Sequence, residues 1–136
     1  MSEENVATLQ RVRAAWDADD LDAFLAETDP EVEWHTAVER AVEGRGSTYR
    51  GHDGVRKAWG ELRGESWGAI TSQVQKIRDL GESVLVLGHL DVTGRTTGIG
   101  FHEELGQLVT FRGRKILRSE DFLSHAEALE AAGLRE

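Results

Sequence analysis

The chain of 136 residues has no cysteine and a single proline, Pro30. Without cysteine there is no disulfide framework, thiolate-bound metal or thiol nucleophile. With one proline, 39% hydrophobic residues and no low-complexity stretch, long disordered segments are not expected. No apolar run approaches the length of a membrane span, and Met-Ser-Glu-Glu-Asn at the start lacks the basic and apolar regions of a leader, so the expected location is the cytoplasm. An excess of positive charge is missing too: 16 basic against 25 acidic residues give a net charge of −9. Nucleic acid and anionic membranes, which attract basic surfaces, are therefore not expected partners. The acidity is uneven. Residues 1–43 hold three basic and twelve acidic residues, while residues 44–136 hold thirteen of each. A charge run of this kind ordinarily marks a solvated face. The length suits one domain, residues 1–136, large enough to bury roughly two-thirds of the unfolded chain's surface.

Hydrophobic spacing predicts the elements. Val6, Leu9, Val12 and Trp16 recur every three or four residues, as on one stripe of a helix. Asp20 is a plausible N-cap for a short second helix burying Leu21, Phe24 and Leu25, which Thr28-Asp29-Pro30 ends. Glu31-Val32-Glu33-Trp34 alternates like a half-buried strand, and 36–51, with glycines at 44, 46 and 51, reads as a loop. Val55, Ala58, Trp59 and Leu62 predict a third helix closed by Gly64. Strands follow at about 70–79, 83–93, 96–103, 107–112 and 115–123, with Gly106 and Gly113-Arg114 among the hairpin turns. Strands joined by short turns are antiparallel. Ser124 and Glu127 form a capping box for a last helix that stops at Gly133. This order predicts an α+β fold, with helices on one face of a curved antiparallel sheet.

Three stretches carry a family resemblance: Ala14-Ala15-Trp16-Asp17-Ala18-Asp19-Asp20-Leu21-Asp22-Ala23-Phe24-Leu25, Asp29-Pro30-Glu31-Val32-Glu33-Trp34, and Tyr49-Arg50-Gly51-His52-Asp53-Gly54-Val55-Arg56. With the tail from Gly113 to Leu134, they resemble the SnoaL-like branch of the nuclear transport factor 2-like superfamily over nearly the whole chain. The resemblance implies a cone in which a mixed sheet and three helices of the N-terminal half enclose a pocket, with a short C-terminal helix. It also implies a homodimer packed through the sheet. For chemistry it implies cofactor-independent acid/base proton transfer on a small hydrophobic molecule, of isomerase, cyclase, dehydratase or epoxide-hydrolase type. The alternative is a non-catalytic binding or accessory protein of the same fold.

His89 and Asp91 lie two apart on one strand and so share a face. If that face is concave, they form an acid/base pair in which the carboxylate sets the imidazole tautomer; otherwise they sit on solvent or an interface. Asp121 is the further catalytic candidate, since the resemblance to SnoaL-like cyclases implies an aspartate as proton shuttle in such a cavity, where burial raises a carboxyl's pKa; the alternative is an exposed carboxylate paired with a strand neighbour. Ser119 shares its face, whereas Arg118 and Glu120 suit a cross-strand pair on the convex side. When the first helix is laid on ketosteroid isomerase, the oxyanion-hole tyrosine falls on Val12, the general base near Trp34 and the second acid near Gln107. None can do the original work, although Gln107 can still donate to a ligand carbonyl.

Trp16, Trp34 and Trp59 fall on inward faces and Trp67 begins a strand, so these and Leu87 are candidates for an apolar ligand wall as well as for core. Tyr49 and His52 precede the third helix and are candidates for the mouth, with His52 equally suited to capping that helix. His35, next to Trp34, is expected to point away. His102-Glu103-Glu104 lacks a second histidine at helical spacing, so no metal is expected. Gly98-Ile99-Gly100 and Gly44-Arg45-Gly46 lack the context of a phosphate loop, so no nucleotide cofactor is expected.

Overall fold

A computed structural model describes residues 2–36, 47–63, 67–94 and 100–134. The elements are helices α1 (Ser2–Asp17), α2 (Leu21–Ala26), α3 (Gly51–Leu62) and α4 (His125–Ala131), and strands β1 (Thr28–Thr36), β2 (Ser47–Arg50), β3 (Trp67–Asp79), β4 (Ser83–Gly94), β5 (Gly100–Arg112) and β6 (Lys115–Phe122). They form one six-stranded sheet in the order β2-β1-β6-β5-β4-β3. Every neighbouring pair is antiparallel except β1 and β6, which run parallel. The last strand is thereby inserted beside the first, a pairing that no short turn announces.

Two of the helices, α2 and α4, begin at side-chain caps. Asp20 accepts a hydrogen bond from the Ala23 amide at 3.1 Å, and Ser124 accepts from Glu127 at 3.3 Å. The buried stripe of α1 runs through Asn5, Thr8, Leu9 and Ala15, with Val6 only half-buried. It includes polar residues because Asn5 donates to the carbonyl of Gly81 at 3.2 Å and Thr8 to that of Glu4 at 3.0 Å. Val55, Ala58, Trp59 and Leu62 form the buried face of α3, as their spacing predicts. The main core joins α1, α2 and α3 to the inner face of β1, β4, β5 and β6. A second cluster, Leu85 and Leu87 with Ala128 and Leu129, fills the space between the outer face of β4 and α4.

Three expectations are corrected. Thr28-Asp29-Pro30 does not only end α2 but opens β1, where Arg112 grips Asp29 at 2.7 Å and Glu31 at 2.6 Å. The predicted loop contains β2 at its end, while Gly44-Arg45-Gly46 lies outside the described residues, as do Gly64 and Gly98-Ile99. Gly106 is not a turn: it lies inside β5, opposite Leu87 and Phe122. A Cβ there would collide with the Cβ of Ala128. This glycine serves close approach of α4 to the sheet rather than chain reversal.

Candidate functional site

A cavity of about 150 Å³ lies between α1, α2, α3 and the inner face of the sheet. An apolar cavity of that volume holds a benzene-sized molecule. Its wall is set by alternation: Leu105, Gln107 and Val109 from β5, Val86 and Leu90 from β4, and Ser119 and Asp121 from β6 point into it. Phe24 closes it from α2, and Val12 and Trp16 from α1. The solvent-exposed lining residues Gln10 and Asp17 of α1 and Thr71 and Ile77 of β3 mark the mouth. Arg13 ties these two elements together, donating to the hydroxyl of Ser72 at 2.9 Å and to its carbonyl at 3.0 Å.

Inside the cavity the chemistry concentrates on Asp121. Gln107 is its direct partner across β5 and β6 and donates to Oδ1 at 3.0 Å. Trp34 arrives through the parallel β1–β6 pairing, opposite Ser119, and its indole donates to Oδ2 at 3.3 Å. Burial pushes the Asp121 carboxyl up to about 6, against the two hydrogen bonds, which favour the anion and pull it down. Asp121 is half-buried and lines the cavity.

The aromatic residues pack as a continuous array. Phe24 lies 5.9 Å and Trp16 6.3 Å from Trp34, ring centre to ring centre. Trp59 touches Trp16 at 4.8 Å and Phe24 at 5.1 Å, yet stays behind the wall and gives its N–H to Asp19 at 2.7 Å. Arg63 covers Trp16 with its guanidinium 4.6 Å from the ring centre and pairs with Asp19 at 3.0 Å.

The sequence-predicted residues therefore divide. Trp16, Trp34, Gln107, Ser119 and Asp121 meet at one cavity. Leu87, His89 and Asp91 do not, because Val86 and Leu90 take the inward positions of β4 and the intervening residues face outward. There Leu87 packs under α4 and His89 stacks on His102 at 4.8 Å. His102 bonds Asp91 at 2.5 Å, and His125 reaches the carbonyl of Gly88 at 2.7 Å. Among the described residues no group of three or more His, Cys, Asp or Glu is placed to hold a metal ion. Tyr49 is buried with its hydroxyl donating to Glu61 at 2.6 Å, and His52 meets the carbonyl of Thr28 at 3.1 Å; neither lines the cavity. His35 points away from it, between Glu33 and Thr48. Arg118 and Glu120 pair at 3.3 Å. Trp67 begins β3, and its side chain lies outside the described set. Sequence reasoning missed Val86, Leu90, Leu105 and Val109 as the shaping wall, and no motif marks them.

The family model of the SnoaL-like domain matches residues 9–119. The chain belongs to the SnoaL-like domain family. No match is found among curated proteins. Three solved structures resemble this SnoaL-like chain throughout. An NTF2-like protein from Burkholderia thailandensis is 27% identical, with TM-score 0.74, covering 90% of this chain and 95% of its own. TerC, co-crystallised with polyporic acid, is 22% identical with TM-score 0.77 over 93% and 96%. A protein of ketosteroid isomerase-like fold from Catenulispora acidiphila, in complex with trimethylamine, is 16% identical with TM-score 0.73 over 94% and 93%. The last two establish the fold alone. No helix among the described residues of this SnoaL-like chain is long and apolar enough to cross a membrane.

Proposed function

We propose that the cavity is the site of cofactor-independent proton transfer on a small, largely apolar carbon acid, with Asp121 carrying the proton. The observation that carries this reading is a carboxyl set in an aromatic and aliphatic wall, held by two neutral donors and raised to about 6. A base near the working pH is anionic often enough to accept a proton and acidic enough to return it. In the step, the Asp121 carboxylate takes the proton from the carbon beside a carbonyl, leaving an enolate. The resulting acid then delivers the proton to the same or a neighbouring carbon. Ser119 and the second amide hydrogen of Gln107 are the donors on the wall for the enolate oxygen. The steroid-isomerase arrangement is not used, since Val12 offers no hydroxyl and Trp34 no base. His89 and Asp91, facing outward, have no part in it.

The test is hydrogen–deuterium exchange of the protons beside the carbonyl of cyclohexanone and cyclohex-2-enone in deuterated water, followed by proton NMR. The expected exchange exceeds the buffer rate, rises with pH through about 6 and then levels, and is lost in Asp121→Asn. Exchange at the buffer rate, or undiminished in the variant, overturns the reading.

A second reading, binding without chemistry, is favoured by the two relatives solved with small molecules, polyporic acid and trimethylamine. Native mass spectrometry that recovers an unaltered ligand from the purified protein supports it. We further propose that the chain acts in the cytoplasm as a homodimer packed through the outer sheet face that α4 leaves uncovered, which light scattering checks.

A further inference from the structure

Burying a carboxylate is costly unless a counter-charge or several donors face it. Asp121 has only two hydrogen-bond donors among the described residues, Gln107 and Trp34, and both are neutral. The nearby arginines are committed elsewhere. Arg13 gives both terminal nitrogens to Ser72, and Arg63, which is not part of the lining, gives its guanidinium to Asp19 and to the carbonyl of Trp16 at 2.7 Å. Among the described residues the ionisable lining is thus Asp121 inside with Asp17 and Arg13 at the mouth, a net negative set without a histidine. Trp34, Trp16 and Phe24 line the same cavity as the carboxyl, and the electron-rich faces of such rings attract cations. Trp16 already does so with Arg63, at 4.6 Å.

We infer that the cavity is selective for small protonated amines, the N–H⁺ donating to Asp121 and the alkyl or aryl groups lying against Trp34, Trp16 and Phe24. The inference rests on the reading of this cavity as a ligand site built around Asp121 and goes beyond proton transfer, because an amine paired with the carboxylate occupies the base that a carbon acid would use. The ligand supplies the positive charge that the wall withholds, and 150 Å³ limits it to a single ring or a short branched chain, with anything longer projecting through the mouth. The net charge of −9 enriches cations around the protein as a whole. Titration agrees: a carboxyl raised to about 6 is drawn down by a bound cation, so amine binding strengthens as pH rises through that value. Of the elements packed around it, β1, β5 and α2 present uncharged Trp34, Gln107 and Phe24, and α1 presents Arg13 and Asp17.

The experiment compares tert-butylammonium with tert-butanol, which share a shape and differ in charge. Both are titrated into wild type and Asp121→Asn at pH 8 and pH 5, at fixed ionic strength, and the indole N–H signals are followed by NMR. Wild type at pH 8 is expected to hold the ammonium ion about tenfold or more tightly than the alcohol, a preference that disappears at pH 5 and in the variant. If the alcohol binds as tightly as the ammonium ion to wild type at pH 8, the amine inference falls while the proton-transfer reading stands. If the preference survives in Asp121→Asn, the cation sits elsewhere and the inference falls. If neither probe moves an indole signal in wild type, the amine inference falls, and the exchange experiment alone decides the proton-transfer reading.

Discussion

Replacing Asp121 by asparagine removes a charge that burial opposes, and the fold should gain stability from it at alkaline pH. The carboxyl has an ordinary value of 3.8 in the unfolded chain and about 6 in the folded one. Below 3.8 both states carry the proton and the group costs nothing. Between the two values the unfolded chain releases its proton first, and above 6 the whole difference weighs against folding. At 1.36 kcal/mol per pH unit, the penalty comes to about 3 kcal/mol at pH 8, about 1.5 at pH 5 and about 0.5 at pH 4. Water in the cavity reduces these figures, so they are ceilings. The asparagine also rearranges the hydrogen bonds to Gln107 and Trp34, but that contribution does not vary with pH. The quantity to measure is therefore the difference between variant and wild type in urea denaturation at pH 4, 5 and 8. It should move in the variant's favour by up to about 2.5 kcal/mol from pH 4 to pH 8. A difference that is constant with pH refutes the claim that the carboxyl is desolvated, and one of opposite slope means that the site stabilises the anion.

Other substitutions probe the surroundings. Gln107→Leu takes away the donor at 3.0 Å, and the midpoint of the Asp121 carboxyl, followed by carbon NMR, should shift further upward; an unchanged midpoint would remove the hydrogen bond from the account. Gly106→Ala should cost about 2 kcal/mol, because its methyl group meets Ala128 and forces α4 off the sheet, a loss measurable by denaturant titration. Arg63→Ala should cost about 1 to 2 kcal/mol through the lost bonds to Asp19 and the Trp16 carbonyl and should alter tryptophan fluorescence. His89→Ala should leave Asp121-dependent exchange at the wild-type rate, and a loss of exchange would return the outer histidines to the machinery.

Local patterns in the sequence were enough for the helices, the caps and the mostly antiparallel sheet, since each depends on neighbours three or four residues away. The site depends on longer reach. Trp34 and Asp121 meet only through the parallel β1–β6 pairing, across 87 positions. His89 and Asp91 lie outside the cavity for a definite reason. Alternation tells which residues share a face but not which face is inner, and in β4 residues 84–88 are buried on both sides because α4 covers the outside. Gly106 misled in a related way, since a glycine at a turn and a glycine under a helix look alike in one sequence. Trp59 shows the limit of reading aromatic residues as ligand wall: Trp16 of α1 reaches the cavity, and Trp59 of α3 packs against it without lining the cavity.

The alternation along β5 also separates two kinds of change. Gln107, which donates to Asp121, stands between Leu105 and Val109, which set the volume, and on the neighbouring strand Val86 and Leu90 do the same. Lengthening or trimming any of those aliphatic side chains resizes the chamber by a methyl group or so and leaves both donors to Asp121 untouched. On the proposed reading, a lineage that keeps Asp121, Gln107 and Trp34 can therefore exchange one ligand for another by small steps in volume, without passing through a form that has lost the carboxyl and its two donors. A designer seeking new specificity has the same short path.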